Sequence, residues 1–95
     1  MKKYEIMYIL TPTLDDAARK EEILKLHGIL TSKGAKVGKV NEWGLKDLAY
    51  EIKKEKKGYY VVSKVEAEKA ALDEFTRLTK FNSNVLRFLI TVDHE

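Results

Sequence analysis

The order β-α-β-β-α-β predicts an α+β fold, a four-stranded antiparallel sheet with two helices on one face, the ferredoxin-like split β-α-β arrangement (βαββαβ). It rests on four stretches that suit β-strands, two of them with clean apolar alternation, two stretches with apolar residues at helical spacing, and turn signals between them. Ninety-five residues suit one domain, 1–95, with one two-layer core.

Tyr4–Leu10 is the first predicted strand. Tyr4, Ile6, Tyr8 and Leu10 share one face, and Met7 and Ile9 lie on the other. Apolar residues on both faces place this strand in the centre of the sheet. Thr11-Pro12-Thr13 ends it. Thr13 reads as the cap of a helix over 14–32, with Asp15 and Asp16 complementing its dipole. Ile23, Leu26, His27 and Leu30 form its buried stripe, and Gly34 supplies a left-handed end. Residues 35–53 are a long extended segment that Gly38 and Gly44 interrupt as bulges. A turn is predicted over 55–58 and a third strand over 59–65, rich in aromatic and β-branched residues. A second helix is predicted over 68–80 with Ala71, Phe75 and Leu78 buried. A fourth strand follows over 85–92, with Leu86, Phe88, Ile90 and Val92 alternating.

Composition narrows the function. The chain is 44% hydrophobic and 35% charged, with net charge +3 and a pI near 9.0. That balance is globular with a modest basic excess, which permits contact with phosphates. It has no Cys, so disulfides and thiolate metal sites are excluded and a reducing, cytoplasmic setting is expected. No segment has the pattern of a signal peptide or a membrane span.

No catalytic constellation is visible. His27 and His94 have no partner at metal-ligand spacing, and each reads as an ordinary imidazole. The neighbouring acids Asp15-Asp16, Glu21-Glu22 and Asp73-Glu74 point in different directions and read as solvated surface. There is no glycine-rich phosphate loop or nucleophile elbow. Acylphosphatases share the fold class but carry an Arg in the loop after the first strand, where this chain has Thr11-Pro12-Thr13-Leu14. No enzymatic role, cofactor, metal or small-molecule substrate is expected.

The informative stretch is 43–60. It holds the only Trp, three of the five Tyr, and five Lys against three acids. Aromatics and cations on a strand pair suit a nucleic-acid surface. Lys53, Lys54, Lys56 and Lys57 read as a basic hairpin tip, although lysines near a strand edge also discourage aggregation. Arg87 interrupts an apolar strand, on the face opposite Phe88 and Ile90, and must reach solvent, an acid or a phosphate. Lys2 and Lys3 begin the strand beside it, so Lys2, Lys3 and Arg87 are expected to share one basic zone. Met7, Ile9 and Leu89 are expected to pack against the helices rather than form a docking surface.

Two alternatives stand beside a structural RNA-binding role. One is a single-stranded RNA binder of the RNA-recognition type. Lys57-Gly58-Tyr59 opens like its third-strand motif and Tyr8 sits at a first-strand stacking position, but Tyr60, Val61 and Lys64 depart from the pattern. The other is a protein–protein adaptor with no RNA role.

Over nearly its full length the chain resembles the bacterial small-subunit ribosomal protein six family. The resemblance is carried by Lys3-Tyr4-Glu5-Ile6-Met7-Tyr8-Ile9-Leu10 with Pro12 and Asp15, by Gly34-Ala35-Lys36-Val37, and by Trp43-Gly44 followed by Leu48-Ala49-Tyr50-Glu51-Ile52 and Gly58-Tyr59-Tyr60. Asn84-Val85-Leu86-Arg87 completes it. It implies a non-enzymatic constituent of the small ribosomal subunit. Such a protein binds the central domain of small-subunit ribosomal RNA as a heterodimer with small-subunit ribosomal protein eighteen. Lys2, Lys3, Lys46 and Arg87 match basic, RNA-facing positions, and Lys53 and Lys54 join them as candidates from the tip. The family usually has a second basic residue where this chain has Asp47, which weakens RNA contact there. Many members continue in a charged tail where this chain stops at Glu95, so a tail function is not expected.

Overall fold

A computed structural model describes residues 2–93, so the expectation for His94 lies outside the described residues. The elements are β1 (Lys2–Leu10), α1 (Asp16–Thr31), β2 (Lys36–Ile52), β3 (Glu55–Ala67), α2 (Lys69–Thr79) and β4 (Val85–Val92). They build one antiparallel sheet in the order β2-β3-β1-β4, with both helices on one face. β1 is central, as its two apolar faces require.

The helix-covered core joins Ile6, Tyr8 and Leu10 of β1 to Val61 and Val65 of β3, Leu26 and Leu30 of α1, and Ala71 and Phe75 of α2. Phe75 meets Phe88 of β4 edge to face, with ring centroids 5.9 Å apart. Tyr8 is fully buried. Its hydroxyl lies 3.1 Å from Nε2 of the half-buried His27, so the imidazole is an ordinary packed side chain with one polar partner. Burial, and secondarily the Glu42 carboxylate, raises the Tyr8 phenol above its ordinary value, and burial lowers the His27 imidazole.

Several local expectations are corrected. The α1 cap is Asp15, whose Oδ1 accepts the Ala18 N–H at 2.7 Å, while the Thr13 hydroxyl pairs with that of Thr11. Asp is as good a cap as Thr and stands closer to the apolar run. Leu78 is 39% exposed, and Leu72 and Thr79 take its place on the buried side of α2. Glu22 is not solvated. It is 8% exposed, and its carboxylate accepts from the side-chain amides of Asn82 and Asn84, tying α1 to the loop before β4.

The β2–β3 turn is Lys53-Lys54, not 55–58. Both residues have positive φ, +50° and +67°, and Ile52 pairs with Glu55. This is the backbone of a two-residue type I′ turn, normally marked by Asn or Gly. Lys-Lys gives no such signal. Lys56 and Lys57 therefore belong to β3. Gly58 lies buried within that strand because another element needs its space: a Cβ there would stand 2.2 Å from Cγ2 of Ile9 and 3.4 Å from Cδ2 of Leu48. Gly38 and Gly44 do mark irregularities, since the β2–β3 register shifts between Val37 and Val40 and between Glu42 and Gly44.

Two outcomes follow from this packing. Gly58→Ala is expected to destabilise the fold by about 1–3 kcal/mol in denaturant titrations, the usual cost of overpacking; an unchanged midpoint would place Ile9 elsewhere. The lowered His27 imidazole binds its proton more readily in the unfolded chain. Its contribution is therefore at full strength above the unfolded value near 6.5 and is lost as pH falls through that value toward the folded one. His27→Gln is expected to flatten the stability profile in that window, measured by urea unfolding at a series of pH values.

Candidate nucleic-acid interface

No helix covers the second face of the sheet. Alternation along the strands assigns to it Met7 and Ile9 of β1, Tyr60 and Val62 of β3, and Arg87 and Leu89 of β4. Met7, Ile9 and Leu89 thus lie opposite the helices, correcting the expectation that they pack against them. Leu89 is 51% exposed, whereas Ile9 is buried.

Ile9 is covered by β2. Between Asp47 and Ile52 the register with β3 shifts, and the end of the hairpin bends across the sheet as far as β4. Leu48 reaches the Gly58–Ile9 contact, and the Tyr50 hydroxyl accepts a hydrogen bond from Nη1 of Arg87. Lys53 Nζ donates to the Val85 carbonyl at 3.2 Å. Under this arch lies a groove of about 160 Å³ lined by Met7, Ile9, Leu48, Tyr50, Ile52 and Leu89, among others. Clean alternation of Leu48, Tyr50 and Ile52 is what lets one face of the bent strand be apolar.

The candidate cations fall into two groups. Arg87 stands beside Ile9 in the pairing register, and Lys53 reaches the start of the same strand. Lys54 occupies the turn. Lys46 pairs with Gly58 at the same end of the sheet but on the opposite edge strand, where its Nζ lies 5.1 Å from the Trp43 ring centroid. Asp47 beside it is exposed and sits 3.9 Å from Lys57 Nζ, so its charge meets a partner. Lys2 and Lys3 start β1, six residues before the Arg87 row for Lys3, which is about 20 Å along a strand. They point to opposite faces. The single basic zone expected for Lys2, Lys3 and Arg87 does not form. β1 and β4 are neighbours, but they are antiparallel, so the start of one lies beside the end of the other.

The aromatic residues are also sorted by face. Tyr8 lies in the core, and Tyr59 faces the helices, donates its hydroxyl hydrogen bond to Glu42 at 2.9 Å and has Arg19 stacked 4.1 Å over its ring. Neither can serve as the stacking residue of an RNA-recognition surface, which corrects that assignment. Tyr60 does reach the open face, where it stacks on Trp43 at 6.5 Å and 10°. With Lys46 also near the indole, Trp43 sits among its own neighbours. Among the described residues no cluster of three or more His, Cys, Asp or Glu suits a metal ion, and no helix is long and apolar enough to cross a membrane.

Trp43 is the only tryptophan and reports this stack directly. Tyr60→Ala is expected to shift its emission to longer wavelength as the indole gains solvent; an unchanged spectrum would mean that the two rings are apart in solution.

Comparison with known proteins agrees with this architecture. The chain is 54% identical over 95 residues to small ribosomal subunit protein bS6 of Halalkalibacterium halodurans, with all of both chains covered. It is 50% identical over the same full length to that of Shouchella clausii. The crystal structure of 30S ribosomal protein S6 from Thermotoga maritima superposes with a TM-score of 0.90 at 25% identity, covering 97% of this chain and 87% of that one. The family profile described as ribosomal protein S6 matches residues 3–91, and the chain belongs to the ribosomal protein S6 family.

Proposed function

We propose that the chain is a structural, non-enzymatic constituent of the small ribosomal subunit in the cytoplasm, binding the central domain of small-subunit ribosomal RNA together with small-subunit ribosomal protein eighteen. The observation that carries this reading is the full-length match to small ribosomal subunit proteins at 50–54% identity. The geometry supports it physically. One sheet face is left without helices and exposes Leu89, Trp43 and Tyr50 next to cations. Exposed apolar and aromatic groups suit a protein partner, and the cations beside them suit phosphates.

Lys46, Lys53, Lys54 and Arg87 are the contacts of the hairpin end, and Lys2 and Lys3 those of the other end. Lysine and arginine in these positions neutralise phosphates without reading bases. A net charge of only +3 suits weak binding by the protein alone and tight binding by the pair. The role needs no cofactor and no small-molecule substrate. The single-stranded stacking alternative is disfavoured by the burial of Tyr8 and the helix-facing position of Tyr59.

The test is a titration of the protein, with and without ribosomal protein eighteen, against a fragment of the ribosomal RNA central domain. Log affinity is expected to fall linearly with log salt, and Arg87→Ala to reduce the slope by about one. An unchanged slope would remove Arg87 from the RNA surface. No binding by the pair would overturn the reading itself.

A further inference from the structure

A broad concavity lies at the end of the sheet away from the hairpin turn, and lysines dominate its charge. It measures about 590 Å³ and is lined by Lys3, Lys36, Lys39 and Lys64, with Glu66 and Asp93 as the acids. Four ammonium groups thus face two carboxylates. The lysines come from three strands: Lys3 from β1, Lys36 and Lys39 from β2, and Lys64 from β3.

Register explains the convergence. Lys36, Glu66 and Lys3 pair in one row across β2, β3 and β1, so their side chains leave the sheet on the same side. Lys64 is two residues from Glu66 on β3 and shares that side. The β2 register then shifts between Val37 and Val40, which puts Gly38 and Lys39 in a bulge. A Cβ at Gly38 would stand 3.2 Å from the Lys64 carbonyl oxygen, so glycine lets the bulged strand approach β3 closely. Asp93 lies 3.5 Å from Lys64 Nζ, and its backbone N–H donates to the Lys3 carbonyl, fixing the acid at the rim.

The geometry points to this cleft as a second phosphate-binding surface, occupied by the sugar–phosphate backbone of RNA, with Lys36 and Lys39 as contacts beside Lys3. This rests on the RNA-binding role proposed above and extends it to residues outside the hairpin end. Three features favour a backbone over a small anion or a base. The cleft is wide and open, larger than one phosphate needs. Its lining holds no aromatic ring on which a base stacks and no arginine for paired recognition of a base edge. Lys3, Lys36 and Lys39 are exposed, and lysines act as point charges along a polyanion.

The test uses the full chain with ribosomal protein eighteen, titrated against the central-domain RNA fragment at a series of salt concentrations. Lys36→Gln/Lys39→Gln is expected to reduce the salt slope by about 1.8, two contacts at roughly 0.9 each. Glu66→Gln is expected to tighten binding, an outcome that damage to the fold would not produce. A wild-type slope in the double variant, alongside a reduced slope in Arg87→Ala, would overturn the cleft and leave the RNA-binding role standing. Failure of the wild-type pair to bind would overturn both. Amide shifts at Lys36, Gly38 and Lys39 on addition of pyrophosphate, with an unchanged RNA slope, would assign the cleft to small anions and overturn RNA as its occupant.

Discussion

β1 is apolar on both faces, and the two helices cover only one of them. The second face needs its own cover, and the bent end of the β2–β3 hairpin supplies it. The contact that permits this is the one among Gly58, Ile9 and Leu48, where a single added carbon would collide with Ile9. With it go the register shift between Asp47 and Ile52 and the arrival of Tyr50 and Lys53 at β4. Hydrophobic burial drives the bend, since water is removed from Ile9 and Leu48 together.

The cover is incomplete, and what it leaves exposed is the basis for function. Leu89, Trp43 and Tyr50 remain half open, with Arg87 and Lys46 on opposite edges of the same end. Arg87 donates to the Tyr50 hydroxyl and Lys46 lies by the Trp43 ring, so among the described residues these cations are oriented by aromatic neighbours. At the other end, Lys64 is balanced by Asp93, and Glu66 stands between Lys36 and Lys3. The two ends thus differ in kind: one is aromatic and cationic, the other lysine-rich and tempered by acids.

Trp43-Gly44, Leu48–Ile52 and Gly58–Tyr60 carry much of the family resemblance, and residues of these stretches shape the arch and the aromatic stack beside it. Tyr8 and Tyr59 stand at strand positions like those of RNA-recognition stackers, but both lie on the face that the helices take, which a strand motif does not reveal. Glu22 lies beside Glu21 on a helix, and nothing local marks it as buried. Its partners Asn82 and Asn84 lie some sixty positions away and only folding brings them close.

The sequence by itself determined the element order, the central place of β1, the bounds of β4 and the irregularities at Gly38 and Gly44. These depend on residue type and local periodicity, which a linear chain displays in full. The tertiary structure alone decided where the hairpin turns, why Gly58 is glycine, which face Met7, Ile9 and Leu89 occupy, and how the cations divide. Antiparallel pairing sets Lys3 about 20 Å from Arg87 along β1, while the pairing row through Glu66 aligns Lys36 with Lys3 and the bulge that follows adds Lys39. Such distances are fixed by register between strands, a relation between remote residues that no local pattern contains.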